Sequence, residues 1–172
     1  MQFTSNELYH LINDHPSDRY LWLSGADLAE AHLSRADLRH ANLSKANLRA
    51  ANLSGADLSS ACLNGANLEG ADLRGACLAE ALLRGASMSR ANLHEANLHR
   101  ADLHEASLQS TDLSGADLSG ADLSGARLTG AILQDGALTL TNLNGADLSG
   151  VDLSRVDLSM AIASGATLPS DH

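Results

Sequence analysis

Residues 91–105 read Ala-Asn-Leu-His-Glu, Ala-Asn-Leu-His-Arg, Ala-Asp-Leu-His-Glu, three copies of one unit laid end to end. Outward from this stretch the unit never slips. A large apolar residue recurs every fifth position from Leu23 to Leu168, and among these 30 positions only Met88 and Ala163 are not Leu. Two residues before each stands a small residue, beginning with Ala26, Ala31 and Ala36; the exceptions are Leu21, Thr111, Gly136, Thr141, Val151 and Val156. Asp or Asn usually sits between the two, and Ser or Gly often follows. The unit is Ala-Asp/Asn-Leu-X-X, without insertion or deletion.

Neither regular structure can use a period of five. On an α-helix each fifth residue advances by about 140° net, which spreads the leucines around every side. On a long strand an odd period sends successive leucines to opposite faces. The pattern works if the chain makes a short extended segment and then turns, once per unit. Ala and Leu then share one face, Asp/Asn points the other way, and the Ser/Gly pair supplies the turn.

Composition agrees with a layered interior. Of the 172 residues 44% are hydrophobic but only 2% aromatic, so the apolar mass is almost all Leu and Ala, and the core consists of many small, similar layers. The formal net charge of −10 disfavours direct binding to nucleic acid or to an anionic membrane, both of which need clustered Lys and Arg. No stretch approaches the roughly 18 apolar residues of a membrane span. The start of the chain lacks a basic region followed by an apolar run, and two cysteines do not make a disulfide framework. A cytoplasmic protein is the expectation.

The string from Gly25 to about Leu168 resembles the pentapeptide-repeat family, and is similar to its many cyanobacterial members with an Ala-Asp/Asn-Leu unit. The resemblance implies an all-β fold, a right-handed quadrilateral β-helix with four units per coil and about seven coils. At about 4.8 Å per coil such a rod is roughly 35 Å long. Each Leu then points to the axis and stacks on the Leu 20 residues away, with Leu43, Leu63, Leu83, Leu98, Leu103 and Leu123 as core positions.

An open stack has two exposed ends. Residues 4–14 predict a short capping helix: Thr4 and Glu7 have capping-box spacing, Leu8, Leu11 and Ile12 share a face, and Pro16 closes it. Tyr20 and Trp22 are expected to pack at the junction with the first coil. The helix lacks the basic face of a membrane-surface helix. The expected division is residues 1–20 as capping helix and linker, 21–170 as the repeat solenoid and 171–172 as a tail. The other end, around Ala163 and Pro169, offers no equivalent helix and is a candidate surface for a homodimer.

Candidate chemistry is sparse. His94, His99 and His104 recur every fifth residue, but neighbours five apart lie on adjacent sides of a square coil, and no pair has the spacing near 20 that stacked metal ligands need. Asp alternates freely with Asn at one repeat position, which suits bonding to the backbone better than acid–base work. Stacked Asp37 with Asp57, and Asp102 with Asp122, are candidates for raised pKa values. Cys62 and Cys77, 15 apart, fall on different sides of one coil, beyond the roughly 7 Å Cα separation a disulfide tolerates. Stacking suggests two surface ion pairs, Arg49 with Glu69 and Glu80 with Arg100.

No catalytic, cofactor or metal site is expected, and the chain reads as a non-enzymatic structural or protein-interaction module with an unknown protein partner. An acidic DNA mimic that binds DNA gyrase, as some members of the family do, is the alternative. The charge is unevenly placed: residues 1–105 carry 9 basic and 13 acidic groups, residues 106–172 carry 2 and 8. Duplex DNA of the same length carries about 20 charges, one per roughly 1.7 Å. The chain also lacks Phe at the inward positions and any loop inserted between coils, which sets it apart from that branch.

Overall fold

The computed structural model describes Leu8, Ile12 and residues 21–169. Within 21–169 every unit except 151–155 and 156–160 supplies one bridging residue, and the bridges are parallel and join residues 20 apart: Trp22 to Asn42, Asp27 to Asn47, His32 to Asn52, Asp37 to Asp57. Twenty residues per coil are four units, so the coil has four sides. The rows of outward middle residues begin at Trp22, Asp27, His32 and Asp37 and define sides one to four.

The reason lies in the hydrogen bonds. The second residue of a unit donates its N–H to the first-position carbonyl of the preceding coil, as Asn47 does to Ala26 at 2.9 Å. The third donates forward, Leu28 to the Asn47 carbonyl at 2.7 Å, and so does the fifth, Gly25 to the Ser44 carbonyl at 2.9 Å. The first closes the corner, Ala26 N–H to the Leu23 carbonyl at 3.0 Å. That corner needs a left-handed residue. Every fifth residue from Gly25 to Gly150 has φ between 55° and 70°, including fourteen that are not glycine. Positive φ at the third residue of a turn is the type II pattern. Glycine adopts it freely, whereas Arg100 or Glu105 is held there against its preference. At Gly120 the absent side chain also makes room, since a Cβ would stand 3.3 Å from Cγ of Arg100 in the coil below.

The interior is leucine and alanine. Leu43, Leu63, Leu83, Leu98 and Leu123 are 0% exposed and Leu103 1%, and the first-position alanines from Ala41 to Ala126 are at most 2% exposed. Two polar residues are admitted at first positions, each with its hydroxyl satisfied. Thr111 Oγ1 donates to the Met88 carbonyl and Thr141 Oγ1 to the Leu118 carbonyl, both at 2.8 Å.

The N-terminal expectations divide. Leu8 and Ile12 are buried in the same cluster as Leu21, Leu23 and Leu28; Leu11, Tyr20, the rest of the expected capping helix and the tail at 171–172 lie outside the described residues. Trp22 does not pack at the junction. It is 76% exposed, because it fills the second position of its unit, the one that faces outward on side one.

The ladder opens at one place. Sides one and two are bridged through Asn142–Ile162 and Asp147–Thr167, but sides three and four end at Asp112–Ile132 and Asp117–Ala137, with no bridge from Ile132 to Asp152 or from Ala137 to Asp157. Arg155 and Met160 also lack the positive φ of the other corners, and Leu140 N–H bonds the carbonyl of Met160, 20 residues on, where every other forward corner bond spans 19. These two sides are the ones on which Val151 and Val156 replace the first-position Ala, whereas the bridged sides keep Ala161 and Ala166. Two extra methyl groups in a packed row act as a wedge.

Two outcomes follow for denaturation and amide exchange. Leu98→Ala costs about 2–5 kcal/mol in urea unfolding and Leu98→Lys unfolds the surrounding coils; a fully stable lysine variant would contradict the inward placement. In Val151→Ala/Val156→Ala the amides of Leu133 and Leu138 gain protection worth about 1 kcal/mol each, and unchanged exchange would show that the valines are not the wedge.

Candidate interaction surface

The outer surface is built from second, fourth and fifth positions, and the second position fixes its order. Four of the five N–H groups in a unit are taken by backbone carbonyls; the fourth-position N–H is left over. Asp or Asn takes it. Oδ1 of Asn52 accepts from Ser54 N–H at 3.1 Å, Asp57 from Ser59 at 3.0 Å, Asn97 from His99 at 2.9 Å and Asp117 from Ser119 at 2.9 Å. An amide oxygen serves as well as a carboxylate, so Asp and Asn alternate. Where Leu82 and Ile162 break the row on side one, Asn64 and Asn144 of the coil below accept from Arg84 and Ser164 instead, at 2.9 and 2.8 Å.

These bonds set the charge. The carboxyl of Asp147 is held below its ordinary pKa by the hydroxyl and N–H of Ser149 and the hydroxyl of Thr129, and those of Asp152 and Asp157 by Ser154 and Ser159. Asp72 is lowered by its hydrogen bond from Arg74. The expected rise at the Asp102–Asp122 stack does not occur at Asp122. Its partial burial pushes upward, but Ser124, His104 and Arg84 outweigh it, and the pKa falls. Arg84 lies on Asp102, and Arg39 grips Asp37 with Nη2 at 2.7 Å from Oδ2 while reaching Asp57 at 3.9 Å. An arginine thus offsets charge at each stacked pair, Arg39 touching both members of one and Arg84 touching Asp102 of the other.

The expected Arg49–Glu69 and Glu80–Arg100 pairs are not among the ion pairs of the described residues. Glu69 meets Arg90, 21 positions on, because the long side chain reaches diagonally across a corner. One directly stacked pair does form, Arg155 on Asp135 at 2.7 Å.

His94, His99 and His104 occupy fourth positions on three different corners. Nδ1 of His94 and of His104 each lies 2.9 Å from a serine hydroxyl one coil on, Ser114 and Ser124, and no metal-ligating group of three exists among the described residues. Cys62 and Cys77 are free, each with its sulfur 3.1 Å from a serine hydroxyl, Ser44 and Ser59. No helix of the described residues is long and apolar enough to cross a membrane.

The last described coil presents a different surface. Leu140, Met160, Ile162 and Leu168 are 54–60% exposed, Leu140 and Met160 one above the other on one corner, Ile162 on side one and Leu168 in the side-two unit. The repeat pattern gives no signal for these apolar residues, since Leu140 and Met160 sit at fifth positions, which are otherwise glycine, alanine, polar or charged.

Acid should find the surface carboxylates. Their lowered pKa values stabilise the fold fully above the unfolded Asp value, about 3.9, and this contribution is lost as pH falls through the folded values. The melting temperature should therefore drop below about pH 4, and Asp147→Asn/Asp152→Asn/Asp157→Asn, which keeps the Oδ1 acceptor for each fourth-position amide and removes the titration, should flatten that drop. An identical acid profile in the triple variant would assign it to other groups.

Comparison with known proteins places the chain. A family model for pentapeptide repeats matches it in eight copies, over residues 23–55, 51–90, 78–109, 96–135 and 137–168. Among solved structures, two trypsin-treated variants of QnrB1, a plasmid-mediated fluoroquinolone resistance protein, are 24% identical; one covers 86% of this chain and 77% of its own with a TM-score of 0.71, the other 87% and 79% with 0.72. HetL, a pentapeptide repeat protein involved in heterocyst differentiation regulation in the cyanobacterium Nostoc sp., is 31% identical over 96% of this chain and 95% of its own, with a TM-score of 0.29. No curated protein sequence matches. The twenty-residue register, the leucine interior and the family match agree: the chain is a right-handed quadrilateral β-helix and belongs to the pentapeptide-repeat family.

Proposed function

We propose that this protein is a non-enzymatic interaction module of the cytoplasm, a rod of about seven coils that docks a protein partner. The observation that carries the reading is the fixed outer lattice. Rows of side chains repeat every 20 residues, and the Asp/Asn bonds to fourth-position amides hold their spacing. Such a surface loses little entropy on binding. In this reading residues 1–20 cap the first coil, supported by the burial of Leu8 at 5% and Ile12 at 2%, residues 21–170 form the rod and 171–172 a tail.

The far end is read as a homodimer surface. Forward-donating N–H groups at third and fifth positions, and first-position carbonyls, face out of the last coil together, so a second copy related by a two-fold axis meets donors with acceptors. Leu140, Met160, Ile162 and Leu168 add apolar area at the same edge. Sedimentation at rising concentration is expected to show a monomer–dimer equilibrium that Met160→Asp weakens at least tenfold; a strict monomer at high concentration rejects the dimer.

A second reading is the acidic mimic of duplex DNA. Its support is the acidic end, where Asp112, Asp117, Asp122, Asp147, Asp152 and Asp157 lie at second positions against Arg127 and Arg155, and the shared fold with a fluoroquinolone resistance protein. A gyrase supercoiling assay decides: protection or inhibition at stoichiometric protein supports the mimic, and no change in excess removes it in favour of capture of another partner.

A further inference from the structure

Side two runs Asp27, Asn47, Asn67, Ser87, Ser107, Arg127, Asp147. Three consecutive coils on it therefore lack the Asp or Asn oxygen that serves the fourth-position amide in most other units; shorter gaps occur elsewhere, as at Cys62 and Cys77, but no other side has three in a row. Below the gap Glu69 N–H is held by Asn67 Oδ1 at 3.0 Å, and above it Ser149 N–H by Asp147 Oδ1 at 3.0 Å. Between them the N–H groups of Ser89, Gln109 and Thr129 have no acceptor among the described residues. The repair used on side one, an Asn in the coil below, is not made here.

A cleft of about 380 Å³ opens along this gap, lined by Glu69, Ser87, Ser89, Arg90, Gln109 and Ser110. Its wall carries the hydroxyls of Ser87, Ser89 and Ser110, and Ser89 Oγ lies 3.0 Å from Oγ of Ser107, which is only 8% exposed. Arg90 stands at the rim, drawn onto Glu69, and Arg127 follows as the next, exposed residue of the row. Two amides in successive coils, about 4.8 Å apart, are spaced so that the two oxygens of one carboxylate can each take one.

We propose that this cleft binds a carboxylate from outside the chain, which occupies the place of the missing Asp/Asn oxygens, accepts the Ser89 and Gln109 N–H groups, and meets Arg90 and Arg127 at the rim. Charge-assisted bonds from fixed amides are stronger than neutral ones, and the site selects by those amides because the net charge of −10 gives no general pull on anions. A planar carboxylate fits better than phosphate, since it is the group found at the same place in the other coils. Glu69 competes for Arg90, so Glu69→Gln should tighten binding severalfold. The site stands apart from the dimer and mimic readings and does not depend on either.

The test is amide NMR of the full chain with sodium acetate, sodium succinate and a blocked aspartyl dipeptide, against sodium chloride and sodium phosphate at matched ionic strength. The Ser89 and Gln109 amides should shift saturably with the carboxylates, while Ser119 and Ser124, already held by Asp117 and Asp122, stay in place. Ser87→Asp/Ser107→Asp, which restores the repeat, should place both amides at the bound position and abolish the response. Stronger binding of the dipeptide than of acetate would point to an acidic side chain of a partner as the ligand, and parity to a small free acid. An equal response to chloride or phosphate, equal shifts at Ser119, or undiminished titration of the double variant overturns the proposal.

Discussion

A five-residue unit has five N–H groups to satisfy, and the structure depends on how they are shared out. Three bind neighbouring coils, one closes the corner and the last is left to a side chain. A buried or half-buried amide without an acceptor costs on the order of 1–3 kcal/mol, so each coil makes sense only between two others. The leucine interior adds hydrophobic stabilisation of about 1.5–3 kcal/mol per buried side chain, but it does not fix the register. The ladder does, at 20 residues, and it holds Glu80 and Arg90 at positive φ even where no Asp or Asn serves the corner.

The proposed binding surfaces lie at departures from the rule. Where the unit is complete the surface is a repetitive lattice, chemically closed. Where Ser87, Ser107 and Arg127 replace Asp or Asn it leaves amides available. Where Val151 and Val156 replace Ala the last coil is unbridged on two sides, and Leu140, Met160, Ile162 and Leu168 are exposed near that end. A nearest-neighbour solid of this kind can carry such defects because each disturbs only the coils beside it.

Much of this was legible in the sequence. Leucine at every fifth position excludes helix and long strand, and the free exchange of Asp102 with Asn97 pointed to backbone bonding. The number of units per coil was not legible, since a period of five is compatible with any polygon; it required the family resemblance. Trp22 was misplaced because its size suggested a core role while its phase in the unit sends it outward. The ion pairs were misjudged because stacking was counted along one row, whereas Arg90 crosses a corner to reach Glu69. The vacant amides could have been found by asking of each unit which atom serves its fourth N–H.

Native-state hydrogen exchange at single-residue resolution tests that allotment of N–H groups most directly. Second-, third- and fifth-position amides between residues 41 and 130 should be uniformly protected, fourth-position amides protected only where an Asp or Asn oxygen serves them, and Ser119 should outlast Gln109. Protection of fourth-position amides that ignores the identity of the second residue, or a pattern with no five-residue period, would contradict the account.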